Sequence, residues 1–428
     1  MKRSFLFICI FLALGCSISL AQTEATENET SISIQIRPRA EYRNGTLFPR
    51  EEGQLPASFI NNRARISLDY KRDNMIIRTS AQHVGVWGQD PQIDKNGRFI
   101  LNEAWARLNF NNNFFAQLGR QGLVYDDERI LGGLDWNVAG RFHDALKLGY
   151  ENKSNKLHLI LAFNQNDEKA IGGTYYASGA QPYKSMQTLW YNFNNSENPL
   201  SLSLLAMNLG QEGGNEEKAD TRYLQTWGTN IVYLSAQWKL QGSFYYQTGK
   251  TVGNLSVSAW MASLQATYKI SNQWRASVGS DYLSGNKEGE SKYKAFNPLY
   301  GTHHKFYGSM DYFYASGFKG GLNPGLWDNY GSVNFKPSAD VNITASYHNF
   351  RIASDVTVDN KEISKGLGSE IDLQVDWNVM KDVKLSAGYS MMFGTKSMDI
   401  VKGGNHNRWQ DWGWVSLNIN PRILNVKW

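Results

Sequence analysis

The stretch SISIQIRPRAEYR, residues 31–43, alternates without a break. Ile32, Ile34, Ile36, Pro38, Ala40 and Tyr42 share one parity, while Ser33, Gln35, Arg37, Arg39, Glu41 and Arg43 share the other. Successive side chains of a β-strand point to opposite faces, so this run separates a greasy face from a charged one. A strand face turned to bulk water usually mixes both signs of charge. Three arginines on one such face call for a more specific surrounding.

The same alternation continues outward from this strand. Phe59–Tyr70 sets Asn61, Arg63, Arg65, Ser67 and Asp69 against Ala64, Ile66, Leu68 and Tyr70. MIIRTSAQHV, residues 75–84, sets Arg78, Ser80 and Gln82 against Met75, Ile77, Thr79 and Ala81. LNEAWARLNF, AQWKLQGSFYYQTG, WRASVGSDYL, VNITASYHNF, SEIDLQVDWNV and VKLSAGYSMMFG read alike. Short polar turns (71–74, 111–113, 152–155, 194–199, 270–273, 336–340, 379–382) alternate with long polar loops (44–58, 85–99, 123–140, 165–183, 209–220, 285–325, 395–407). That rhythm predicts an all-β chain forming one transmembrane antiparallel barrel of about 18 strands, with short periplasmic turns and long extracellular loops. The segment HHKFYGSMDYFYA, 303–315, is assigned to the loop 285–325, because one more strand would break the even count.

Composition agrees with a barrel. No run after the first residues reaches the roughly 18 apolar residues of a membrane-spanning helix. Yet aromatic residues make up 13% of the chain beside 39 glycines, heavy for a soluble domain. A soluble periplasmic sandwich or propeller is the competing architecture. Against it, the apolar parity stays free of charge for about ten residues, the span a tilted strand needs to cross a bilayer.

Lys2 and Arg3 precede the apolar run FLFICIFLALGCSISL, which ends in Ser19-Leu20-Ala21. This predicts a signal peptide over 1–21 and a barrel over 22–428 in the outer membrane of a Gram-negative bacterium. Cys16 would be the anchor of a lipoprotein, but Ala13 stands where a lipobox has leucine. Cys9 and Cys16 both fall inside this leader, which leaves no disulfide framework, cysteine zinc site or thiol nucleophile. Removing Lys2 and Arg3 lowers the formal charge from +5 to +3, too mild a balance for nucleic acid.

If the apolar parity faces lipid, the other lines a lumen. Its first strands carry Arg37, Arg39, Arg43, Arg63, Arg65 and Arg78, then Arg107 beside Glu103 and Trp105, then Arg141, His143 and Lys147. Farther round, Gln237, Lys239, Gln241, Ser243, Tyr245 and Gln247 form an amide-rich strip, followed by Glu370, Asp372 and Asp376. Guanidinium groups grip carboxylates bidentately and stay charged, and a ring of cations in a pore favours anions. The residues therefore predict an arginine-lined channel for an anionic sugar or polysaccharide. The same arginines also suit pairing with wall carboxylates such as Glu41, Asp69 or Glu103, which would order water and stiffen the barrel. A porin for small solutes shares the fold. An enzyme is opposed by the scattered histidines and the absence of GxSxG, HExxH, P-loop or dinucleotide motifs. His303-His304 is a poor metal pair, since neighbours on a strand point apart. An adhesion barrel would leave the inward arginines without a reason.

Residues 118–150, LGRQGLVYDDERILGGLDWNVAGRFHDALKLGY, resemble the alginate export family, and HHKFYGSMDYF (303–313) is similar to a second motif of that family. The resemblance implies a monomeric 18-stranded barrel with an electropositive lumen for a uronate polymer. No cofactor is expected from the residues. It carries over Arg120, Asp127, Arg129, Asp135, Arg141 and Asp144. Arg120, Arg129 and Arg141 would be pore or loop cations, and Asp127, Asp135 and Asp144 would hold a loop inside the lumen. Trp428 would present the chain end to the barrel assembly machinery, after an irregular last strand, PRILNVKW.

Overall fold

The computed structural model describes residues 27–90, 99–111, 113–179, 181–287 and 289–428, so the expected signal peptide lies outside the described residues. The strands are β1 (Asn28–Asn44), β2 (Ala57–Arg72), β3 (Met75–Val86), β4 (Phe99–Phe110), β5 (Phe114–Gln121), β6 (His143–Glu151), β7 (Asn155–Phe163), β8 (Ser185–Asn194) and β9 (Leu200–Gly214). There follow β10 (Ala219–Leu234), β11 (Trp238–Lys250), β12 (Ser256–Lys269), β13 (Trp274–Leu283), β14 (Leu326–Phe335), β15 (Val341–Arg351), β16 (Gly366–Met380) and β17 (Val383–Gly394). The last strand, β18, comes in two segments, Gln410–Ile419 and Arg422–Lys427. Pro421, which has no N–H to give to a ladder, stands at the break, so the irregular last strand expected from PRILNVKW is found. Each strand pairs antiparallel with the next, and β1 closes on both segments of β18. The result is the closed barrel of eighteen strands expected from the alternation. Closure leaves no free sheet edge, which is what a bilayer demands of a strand protein.

The turns at the end holding Asn28 and Trp428 are short, from 73–74 to 381–382, and most connections at the other end are long. Residues 303–315 contribute no strand, only a single 3-10 turn at His303–Lys305. One expected long loop is not there. Residues 209–220 continue β9 and β10 as a ladder, Leu209↔Leu224 to Gly214↔Ala219, and turn only at 215–218, where Gly214 takes φ 78°. Residues of this hairpin are polar because it extends past the apolar band, so polarity there does not mark a loop. The connection 352–365, not anticipated, carries a small hairpin, Thr357–Val358 against Lys361–Glu362.

No helix among the described residues is long and apolar enough to cross a membrane. The outer surface instead exposes Ile36, Ile66, Leu108, Leu148, Leu204, Leu264, Val278, Leu373 and Val415. Aromatic pairs bracket this band. Phe114–Tyr150, Trp238–Tyr268 and Trp274–Phe335 sit toward the short-turn end with centroids 4.9, 4.7 and 4.2 Å apart. Trp260–Tyr282 and Phe393–Trp409 sit toward the long-loop end at 4.8 and 5.8 Å. Amphipathic rings at two levels mark the two interfaces of a bilayer.

The long-loop half of the barrel is filled. Segments 122–142 and 289–325 fold in from the rim and pair with each other, Leu131 against Tyr300. With the wall they form an apolar core that includes Leu123, Ile130, Phe296, Met310, Tyr312 and Phe313. Each such side chain, removed from water, stabilises the plug by about 1.5–3 kcal/mol. Gly308, at φ 85°, brings the inner loop against the wall, since a Cβ there would stand 2.7 Å from the Glu370 carboxylate. Met310 N–H donates to the same carboxylate at 2.8 Å.

Candidate functional site in the barrel lumen

The inward parity of β1 and β2 meets a strap formed by residues 134–141. Five consecutive carbonyls of this strap accept hydrogen bonds from the wall. Arg63 Nη2 donates to Asp135 O (3.2 Å) and Asn137 O (2.8 Å), and its Nε to Val138 O (2.6 Å). Arg39 Nη1 donates to Trp136 O (2.8 Å), Arg37 Nη2 to Asn137 O (3.2 Å), and Gln82 Nε2 to Ala139 O (2.7 Å). An irregular segment inside a barrel leaves its backbone unpaired, and the five donors of a guanidinium supply the missing partners. The Asp135 carboxylate is held by Arg37 at 3.1 Å and Arg63 at 2.7 Å while its side chain stays 72% exposed. Partial desolvation by the surrounding wall works to raise its pKa, and Arg37, Arg63 and Arg65 outweigh that, holding the carboxyl below the usual range. Trp136 anchors the strap: the Arg39 guanidinium lies 4.0 Å from its ring and His304 stacks at 4.1 Å.

The remaining arginines are distributed as follows. Glu41 gathers Arg39 (2.8 Å), Arg43 (2.9 Å), Asn61 (2.8 Å) and the Trp412 indole N–H (3.1 Å). Arg65 donates only to Gln82, at 2.9 and 2.6 Å, and meets no carboxylate among the described residues. Arg78 bridges Asp69 and Glu103 at 3.3 and 2.9 Å. Arg107 reaches Glu151 at 3.4 Å over the Phe115 ring, and Lys147 faces the same ring without an ion pair among the described residues. Arg141 donates to the carbonyls of Tyr300 and Gly301, tying the strap to the second loop. Arg120 and Asp144 pair with each other at 2.9 and 3.0 Å, on the parity of the exposed Leu118 and Leu148. They therefore lie on the outer face near the rim, so Arg120 is not the lumen cation it was expected to be and Asp144 does not hold a loop inside the lumen. His304 Nδ1 contacts Asp311 at 2.9 Å, and no group of three potential metal ligands comes together among the described residues.

Farther round the wall the charge changes sign. Arg129, buried, takes Asp281 bidentately at 2.9 Å for both bonds and Asp127 at 2.9 Å. Burial opposes its charge, but Asp281 and its neighbours outweigh that and raise its pKa. Asp328 holds His348 at 2.9 Å, and Glu370 and Asp372 follow on the same wall. Below Arg129 lies a cavity of about 600 Å³, lined on the barrel side by Asn192, Asn230, Lys239, Gln241, Ser263 and Gln265. The inward polar strip on β11 was visible in the sequence. The strap across β1 and β2, and this cavity, were not.

The sequence profile of the family described as alginate export matches residues 28–395. No curated protein matches the chain. Among solved structures, OpdQ of Pseudomonas aeruginosa aligns with 92% of this chain and 98% of its own at 12% identity and a TM-score of 0.60. OccAB4 of Acinetobacter baumannii aligns with 94% of this chain and 99% of its own at 12% identity and 0.61. OpdK of Pseudomonas aeruginosa, solved with vanillate, aligns with 93% of this chain and 99% of its own at 8% identity and 0.58. At such identities the likeness is one of fold.

Proposed function

The chain belongs to the alginate export family and is an outer-membrane channel; from that premise we propose that its cargo is an anionic sugar or polysaccharide of uronate type. The cargo diffuses passively through a lumen whose basic wall selects for negative charge. The protein works as a monomer in the outer membrane of a Gram-negative bacterium, in contact with lipid and without a cofactor. One observation carries the reading: among the described residues, Arg37, Arg39, Arg43, Arg63 and Arg65 on β1 and β2 touch only two carboxylates, Glu41 and Asp135. The excess of guanidinium over carboxylate leaves a positive field where water is confined, and such a field raises the local concentration of anions.

The test is reversal potential under a salt gradient in planar bilayers, followed by addition of uronate oligomers. Anion selectivity with block by the oligomers is the expected result. Arg65→Gln, which removes a cation that meets no carboxylate among the described residues, should weaken that selectivity without opening the strap. A wide and weakly selective current would make the protein a porin for small solutes. Absence of any current would sink the channel reading for this chain's lumen.

A further inference from the structure

The cavity beneath Arg129 has a composition unlike the arginine wall. Its roof is closed by Arg129, Phe306 and Tyr307, the last only 2% exposed. Along the inward parity of β11, exposure rises from Tyr245 (1%) and Ser243 (5%) through a half-buried Gln241 to an exposed Lys239. The chamber is thus shut toward the long-loop end and open toward the short-turn end, where the periplasm lies.

Its polar side chains divide into two sets. Asp281 is occupied by Arg129 and by the Ser263 hydroxyl at 2.6 Å, Asp328 by His348, and Asp126 by the Trp190 indole N–H at 3.0 Å. Gln241 and Gln265 stand directly opposite each other on β11 and β12, line the chamber, and make no side-chain hydrogen bond among the described residues. Lys239, two residues below on the same face, makes no ion pair among the described residues. A side-chain amide both donates and accepts, as a sugar hydroxyl does, and an ammonium is the natural contact for a carboxylate. The volume lies within the range of small-ligand sites, about 300–1,000 Å³.

We propose that this chamber is a carbohydrate-binding site entered from the periplasm, in which Gln241 and Gln265 hold the hydroxyls of an acidic sugar and Lys239 its carboxylate. The proposal rests on the reading of the cargo as an anionic carbohydrate and names where that cargo first docks. It also gives the channel a loading side, since a ligand arriving from outside meets the packed loops first.

The experiment is calorimetric titration of the detergent-solubilised full chain with a uronate oligomer and with a neutral oligosaccharide of equal length. Folding of each variant is checked by heat-modifiable mobility in gels. The wild type should bind both, the uronate more tightly. Gln241→Ala with Gln265→Ala should weaken both by about tenfold, the loss of roughly two hydrogen bonds. Lys239→Gln should remove only the preference for the uronate. In bilayers, the oligomer should block from the short-turn side of the barrel and not from the other. Unchanged affinities in the double variant, with the wild type still anion-selective, would overturn the chamber and leave the channel reading standing. Loss of anion selectivity in the wild type itself would instead remove the premise, and equal binding of both sugars unaffected by Lys239→Gln would remove the carboxylate contact.

Discussion

On the β1–β2 wall and on the β11–β12 wall, inward polar side chains occupy the same alternating positions, yet their situations are opposite. Arg37, Arg39 and Arg63 reach the strap, Arg43 reaches Glu41, and Arg65 is folded onto Gln82. Gln241, Gln265 and Lys239 face the open chamber with no such partners among the described residues. The charged wall shapes the passage and sets its field, and the weakly polar wall is the one left free to touch a ligand. An inward arginine inside a barrel is thus not by that fact a contact residue; what decides is whether a loop has already claimed its donors.

Two substitutions should separate the regions most strongly. Asp281→Ala leaves Arg129 buried with Asp127 alone, and breaking a buried pair of this kind costs about 3–5 kcal/mol. The roof over the amide chamber should loosen, read as faster amide hydrogen exchange over residues 123–133, while exchange over the strap at 135–139 changes little. Equal protection in both segments before and after would mean that Arg129 is not what holds the roof. Arg63→Met should come next in size. It strips the donors from Asp135 O and Val138 O, while Asn137 O keeps Arg37 Nη2 and the Gly140 N–H, and each carbonyl left without a partner costs about 1–3 kcal/mol. Single-channel conductance should rise as the strap leaves the lumen, with binding of a neutral oligosaccharide in the chamber unaffected. A conductance equal to that of the wild type would show that the strap stays seated without Arg63.

The alternation in Ser31–Arg43 was enough to orient β1, because every second residue is apolar and a one-residue slip would bury the charges in lipid. The same logic fails for β5. In FFAQLGRQ, Phe114 and Phe115 sit on opposite parities, so the run cannot say which face Arg120 takes, and pairing with Asp144 on β6 is what places it outside. The strap was illegible for another reason: its contacts join Arg63 to Val138 and Asp135, more than seventy residues apart, through backbone carbonyls that every residue possesses. Freedom from partners is equally invisible in a sequence. Gln241 and Gln247 look alike on β11, but Gln247 is taken by the backbone of Asn297 and Gln241 is not.

The smallest expected effect concerns the exposed end of the strap. Asp135→Asn removes a carboxylate from Arg37 and Arg63 but leaves the carbonyl bonds along 135–139 in place, so the strap should stay seated at neutral pH. Two guanidiniums then lose their protein counter-ion, and anion selectivity should increase while conductance stays nearly constant. Acid should mimic this change in the wild type. The Asp135 carboxyl is held below its ordinary value, so its grip on the arginines is fully present above the ordinary aspartate range, about 4, and is lost only as pH falls further through the depressed pKa. Selectivity measured from pH 7 downward should therefore be flat to about 4 before rising, and Asp135→Asn should abolish that rise. A variant that loses selectivity instead would mean that Asp135 helps to form the anion path itself, which would bring the two walls of the lumen closer in role than their hydrogen bonds make them.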